Sequence, residues 1–343
     1  MHRQGIALVQ VYLEERWVEP PAEGKLPFSL LFHQTMSTLA SCGEMTAAEL
    51  ASRVLTLNQF KCISRDDYKI LLRHMLENDH IQRTERGGLI VGIAGERIVN
   101  SFKFYAVFQE NEEYTVRCGS HELGTIVKPP PAGDKIAIAG HVWIVEEVDR
   151  KRKLVYCEQV KGKVPAYFGE CPGDINTKIL ERMRQVLREQ KSFPYLMKNA
   201  AARLQQARHS ADNSGSAYKP LICLGGDMWC LFPWLGTYAF LAMERFLKLR
   251  CGARLGLKGM DSSRPYFIQF KMKVSEQEFW QILHEEAAKP LDPMELLYPG
   301  EVPEFEKYDQ YVPDELVRKG FAYGVLNISE MMARIENMNG NIK

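Results

Sequence analysis

Ser64-Arg-Asp-Asp-Tyr-Lys-Ile-Leu-Leu-Arg-His-Met-Leu-Glu-Asn-Asp-His-Ile-Gln-Arg-Thr-Glu-Arg-Gly-Gly-Leu-Ile-Val91 decides how the first third of this chain folds. Ser64 with Asp67 three residues on is a helix-start signature, because their side chains satisfy N–H groups that the first turn leaves free. Tyr68, Leu71, Leu72, Met75 and Leu76 then recur at helical spacing. The pattern predicts a helix over Ser64–Asn78. His80–Glu85 reads as a strand, Gly87-Gly88 as a hairpin turn and Leu89–Val91 as the return strand.

Upstream, Thr46-Ala-Ala-Glu49 is a capping-box pattern that opens another helix. Before it, Phe28 to Ala40 reads as a helix stopped by Gly43, with Leu31, Phe32, Met36 and Leu39 near one face. Residues 6–18 form a first helix, ended by Pro20-Pro21 and Gly24. Helix, helix, helix and hairpin is the order of a winged helix-turn-helix, expected here within residues 1–98. Arg65, Lys69 and Arg73 recur every fourth residue, so they share one face of the helix that in this architecture enters a groove. The competing reading is a protein-docking module with a solvated charged face.

The remainder, residues 99–343, changes character. Phe102–Phe108, Glu113–Cys118, Leu123–Val127, Lys135–Ile138, His141–Val148 and Leu154–Val160 read as short strands of a small antiparallel sheet or barrel. Helices are expected over Thr177–Gln190, Leu196–His209, Leu235–Leu249, Ser275–Ala288 and Ser329–Met338, and strands over Leu221–Leu224, Trp229–Phe232 and Tyr266–Lys273. The predicted class is therefore α+β. The Trp-rich stretch Leu224–Tyr238 reads as a buried strand-to-helix corner.

Charge is informative only when resolved along the chain. Lys+Arg 44 against Asp+Glu 43 gives a formal net charge of +1. Residues 150–210 hold fourteen basic and five acidic side chains, a local balance of +9. Residues 275–315 hold two basic and twelve acidic ones, a balance of −10. The first segment suggests a wall for a polyanion and the second an acidic surface that engages a basic partner. Lys161, Lys163, Arg182 and Arg188 are the candidate phosphate contacts, with Tyr167 and Phe168 interleaved as aromatics. Cations that follow phosphates beside rings that stack on bases suit a single strand.

Eight scattered cysteines without a C-x-x-C pair imply reduced thiols, and a cytoplasmic location is expected. No apolar run reaches the length of a membrane span, so no membrane partner is expected. G-x-x-x-x-G-K-[ST], G-x-G-x-x-G after a strand, G-x-S-x-G and H-E-x-x-H are all absent. No catalytic residue, metal ligand or cofactor is expected in the chain itself. A cryptic metal-dependent hydrolase or nuclease remains a distant alternative.

Leu26-Pro-Phe-Ser-Leu-Leu-Phe-His-Gln-Thr35, Leu89-Ile-Val-Gly-Ile-Ala-Gly-Glu96, Phe104-Tyr-Ala-Val-Phe108, Glu113-Tyr-Thr-Val-Arg117 and Cys230-Leu-Phe-Pro-Trp-Leu-Gly-Thr237, in this order, resemble bacterial Lhr-type (large helicase-related) ATP-dependent helicases of the DEAD/DEAH-box class. The resemblance covers nearly the whole chain and falls on the region after the two RecA-like motor domains. It implies a winged helix followed by a mostly β domain 4 that encircles a single strand together with the motor. It also implies 3′-to-5′ translocation, unwinding of DNA or RNA–DNA duplexes and a role in DNA repair. The Walker A and DExH motifs are missing from this sequence. ATP and Mg²⁺ would then belong to the motor domains, and this chain would be the C-terminal part of a longer protein. Relatives carry a base-stacking tryptophan before a Gly-rich acidic turn, and the matching residue here is Phe168, with Tyr167 beside it.

Overall fold

The structure, a computed structural model, describes residues 2–21, 24–108, 113–126, 135–138, 141–149, 152–160 and 174–338. It is an α+β chain that divides into two compact units, a discontinuous one of residues 1–107 and 174–343 and an inserted one of residues 108–173.

The first unit begins with α1 (His2–Glu15), α2 (Phe28–Cys42), α3 (Ala47–Val54), α4 (Arg65–Glu77), β1 (Ile81–Arg83), β2 (Leu89–Val91) and α5 (Ile93–Val99). The local chemistry explains the starts. Thr46 Oγ1 accepts from Glu49 N at 3.2 Å and Glu49 Oε2 accepts from Thr46 N at 2.8 Å, a complete capping box. Ser64 caps α4 by accepting from Asp67 N at 3.0 Å. Caps of this kind contribute about 1 kcal/mol each. The apolar faces of α2, α3 and α4 meet in one core of Phe32, Met36, Leu39, Leu50, Val54, Tyr68, Leu71 and Met75. Inside it, Tyr68 and Thr35 join their hydroxyls at 3.0 Å, so the one polar tip is satisfied. The hairpin β1–β2 is antiparallel, and Met45, between α2 and α3, bridges to Leu89.

This core is not closed by the first 98 residues. Phe104 enters it, and so do Tyr308, Val312, Leu316 and Val317 from near the other end of the chain. The boundary expected at residues 98/99 thus lies within one packed group, while the compact units divide after 107 and 173. Phe102–Phe108 is not a strand. Phe102–Tyr105 is a 3-10 helix started by Ser101, whose hydroxyl accepts from Lys103 N. Only Phe104 of its three aromatics is buried, which is not the alternation a strand requires.

The inserted unit contains β3 (Tyr114–Cys118), β4 (His121–Ile126), β5 (Lys135–Ile138), β6 (His141–Asp149) and β7 (Leu154–Gln159). The order is β4-β3-β7-β6-β5. The described strands form an open sheet and not a closed barrel. The sheet is mixed, because β3 runs parallel to β7. Val116, Ile136, Trp143, Val145, Val155 and Cys157 fill its interior.

The chain returns to the first unit with α6 (Thr177–Arg188) and α7 (Lys198–Ser214). α1 packs on α6, and Ala207 and Ala211 of α7 join Ala7, Val11, Leu180 and Met183 in one core. There follow β8 (Leu221–Gly225), β9 (Met228–Leu231) and α8 (Thr237–Phe246), which continues through a π turn, Leu247–Cys251, into α9 (Gly252–Leu255). β10 (Lys258–Ser263), β11 (Phe267–Lys271), α10 (Glu276–Ala287), α11 (Asp314–Gly320) and α12 (Ile328–Met338) complete it. The antiparallel sheet β10-β11-β9-β8 covers a core with α8, α10 and α12. β10, α5 and α11 carry no strong periodic signal and were not expected. The Trp-rich stretch is core only in its second half: Leu231, Trp234 and Leu235 are buried, and a Cβ on Gly236 would lie 2.6 Å from the Ile175 carbonyl, whereas Leu224, Gly225, Gly226 and Asp227 are exposed. The seven described cysteines are free, and no described helix is long and apolar enough to cross a membrane.

Candidate nucleic-acid interface

The described charges of the basic segment 150–210 divide: some are spent inside the fold, while Arg188, Lys191, Lys198 and Arg203 are exposed. Arg182 lies on the face of α6 that meets α1, and it is 5% exposed. Its guanidinium donates to Glu14 twice at 2.9 Å and to Glu189 at 2.5 Å. Lys178 pairs with Glu15 at 2.5 Å and lies over the Trp17 ring. Arg184 donates to the carbonyls of Ala217 and Tyr218, and the buried Arg208 donates to those of Val186 and Lys191. These side chains fasten α1, α6 and α7 together. The expectation of Arg182 as a phosphate contact is therefore corrected: a ligand would have to displace two carboxylates from a desolvated guanidinium. Arg188 is exposed and stacks over the Tyr218 ring at 5.2 Å. In the inserted unit, Arg152 is exposed in the β6–β7 turn, 3.9 Å from Asp149. Lys161, Lys163, Tyr167 and Phe168 lie outside the described residues.

The acidic segment 275–315 is also engaged internally. Glu301 takes Arg245 bidentately at 2.6 and 2.7 Å. Arg254 reaches Glu285 at 2.5 Å and Glu286 at 2.8 Å, and Arg250 pairs with Glu295. Glu278 and Asp292 close capping boxes, and buried Asp309 accepts from the backbone N–H groups of Phe305 and Glu306. Arginines of the π turn and α8–α9 thus consume much of the −10. Glu276, Glu304, Asp314 and Glu315 nevertheless stay exposed, so part of the acidic surface expected from the sequence remains. Among the described residues no group of three or more His, Cys, Asp or Glu could hold a metal ion.

α4 and the hairpin after it differ. Arg65, Lys69 and Arg73 are all exposed on α4, as their spacing requires. Lys69 pairs with Asp66 at 2.8 Å, both nearly fully solvated, a contact of little energetic weight. Arg65, Arg73, Arg83 and Arg86 have no ion-pair partner among the described residues. The nearby acids are partly withdrawn. Lys319 of α11 donates to both carboxylate oxygens of Asp67 at 2.7 and 2.8 Å. Burial opposes ionisation of Asp67, but that ammonium and the Ser64 hydroxyl hold its carboxyl below the usual range. Asp79 binds Gln82 at 2.6 Å and receives the first N–H groups of α5 through its carbonyl. The exposed acids remaining there are Asp66, Glu77, Glu85 and Glu44, which accepts from the Thr84 hydroxyl, against the five exposed cations Arg65, Lys69, Arg73, Arg83 and Arg86. Arg83 and Arg86 were not singled out from the sequence, because one ends a short strand and the other sits beside Glu85 at the hairpin turn.

No family model, curated protein or solved structure matches this chain.

Proposed function

We propose that this chain is a nucleic-acid-binding module, the strand-guiding C-terminal part of an Lhr-type helicase, and that it holds single-stranded DNA or RNA through the cations of its N-terminal module. The observation that carries the reading is the set Arg65, Arg73, Arg83 and Arg86. They are exposed and unpaired among the described residues, in a chain that ties down most of its other arginines. The order α2, α3, α4, β1, β2 and the Met45–Leu89 bridge support a winged helix-turn-helix, with β1–β2 as the wing. On this reading the RecA-like motor domains are the partner that supplies ATP hydrolysis, and this chain positions the strand.

Fluorescence anisotropy with a labelled oligo-dT tests the proposal. Four phosphate contacts to a single strand give a log K against log salt slope of about −3. Arg73→Glu, Arg83→Glu and Arg86→Glu together should weaken binding by more than about tenfold in low salt and flatten that slope. Unchanged affinity in the triple variant would overturn the assignment.

A further inference from the structure

We propose that Cys118 and Cys157 form an oxidisable dithiol, a site within the inserted unit at which hydrogen peroxide closes a reversible disulfide between β3 and β7; it goes beyond the nucleic-acid reading and does not depend on it.

The placement follows from the register of the sheet. β3 and β7 run parallel, with Thr115 beside Leu154, Val116 beside Val155 and Arg117 beside Tyr156. One step further along both strands, Cys118 comes beside Cys157. Alternate residues of a strand share a face, so Cys118 follows Val116 and Cys157 follows Val155 into the same apolar cluster. Neighbouring strands lie about 4.8 Å apart. A disulfide spans Cα separations of roughly 4.4–6.8 Å, so the two sulfurs reach bonding distance by rotation of their side chains. Both thiols are free, and among the described cysteines they are the two of the inserted unit.

The surroundings give the two sulfurs different roles. Cys157 is 2% exposed, and burial pushes its thiol up to about 11. Cys118 and Glu146, the extra residue where the β6–β7 register shifts, add to that rise. Cys118 is half-buried at the end of β3, next to the exposed Gly119-Ser120 turn, so a small oxidant meets its sulfur first. Cys118 is therefore the attacking sulfur and Cys157 the resolving one.

The chemistry needs no group beyond the peroxide. The Cys118 thiolate attacks one peroxide oxygen, the O–O bond breaks, and the departing hydroxide takes up a proton as water, leaving a sulfenic acid. The Cys157 sulfur then attacks the Cys118 sulfur and breaks its S–O bond. The hydroxide released there takes the Cys157 proton and leaves as a second water. Two thiols lose two electrons and the peroxide gains them.

The test treats the full, native chain with hydrogen peroxide, blocks remaining thiols with N-ethylmaleimide and maps the peptides by mass spectrometry. A peptide pair joined through Cys118 and Cys157, separated again by dithiothreitol, is the expected result. In Cys157→Ser the Cys118 sulfenic acid should persist and be trapped by dimedone, severalfold more than in the unmodified chain. In Cys118→Ser, Cys157 should remain a thiol under the same treatment. Cys118 and Cys157 both still reduced when the exposed Cys42, Cys62 and Cys223 have been oxidised would overturn the proposal, and so would Cys118 joined to any other cysteine. The mapping of the unmodified chain decides the matter even if a serine variant fails to fold. Oligonucleotide binding plays no part in this readout, so either proposal can fall without the other.

Discussion

Replacing Arg182 by Met separates a structural arginine from a ligand-binding one. The guanidinium is 6% exposed, while its partners Glu14 and Glu189 are 37% and 31% exposed. Removing one side of a fully buried pair costs about 3–5 kcal/mol, and a surface pair is worth about 0–1 kcal/mol. Here the buried member is removed and two half-solvated carboxylates regain water, so the cost falls between, about 2 kcal/mol. Met keeps the volume of the aliphatic stem on the α6 face that meets α1, so no large cavity adds to this. For a large domain that is a drop of about 4–8 °C in Tm. The same pairing makes part of the stability pH-dependent. The hydrogen bond from Arg182 holds the Glu14 carboxyl below its ordinary value of 4.5, so the folded chain binds that proton less readily than the unfolded one. The contribution is present above the ordinary value and is lost as pH falls through the depressed folded value. Arg182→Met should flatten that acid limb. Differential scanning fluorimetry across pH and anisotropy with oligo-dT are the two assays. An unchanged Tm with a tenfold loss of oligonucleotide affinity would refute the structural assignment and return Arg182 to the phosphate contacts.

Three further outcomes follow from the first unit. Lys319→Met strands a buried carboxylate at Asp67, which should cost about 1–3 kcal/mol and shift the urea midpoint without altering the far-ultraviolet circular dichroism. Gly95→Ala puts a Cβ 2.1 Å from the His80 carbonyl and 2.7 Å from Met36 Cε, so α5 must move; a normal urea midpoint would contradict that packing. Burial holds the His33 and His80 imidazoles below their ordinary value of 6.5, so the unfolded chain takes up their protons first. Their contribution is full above pH 6.5 and declines as pH falls below it. His80→Phe keeps the ring edges on Phe32 and Tyr311 and should reduce the slope of Tm between pH 7 and 5.5, whereas an unaltered slope would show that His80 does not titrate with folding.

The elements that were legible in advance are those whose signals are local. Thr46 with Glu49, Ser64 with Asp67 and Ser275 with Glu278 close hydrogen bonds three residues apart, and each opens a helix as expected. The hairpin at Gly87-Gly88 and the buried corner at Trp234 have the same origin. Phe102–Phe108 was misread because four aromatics in seven residues satisfy a strand's composition, and the Ser101 cap that starts a 3-10 turn is a weak cue. β10 was missed because Lys258–Ser263 is polar and pairs at a sheet edge.

By itself the sequence determined the longer capped or periodic helices, the hairpin, the α+β class and the uneven distribution of charge, all set by interactions within a few residues. Only the tertiary structure decided which charges remain available. Arg182 finds Glu14 168 positions away, and Asp67 finds Lys319 252 positions away. A charge in a sequence becomes a binding group only if folding leaves it hydrated and unpaired. That condition depends on partners brought together by packing, which withdraws Arg182 and leaves Arg65, Arg73, Arg83 and Arg86 at the surface.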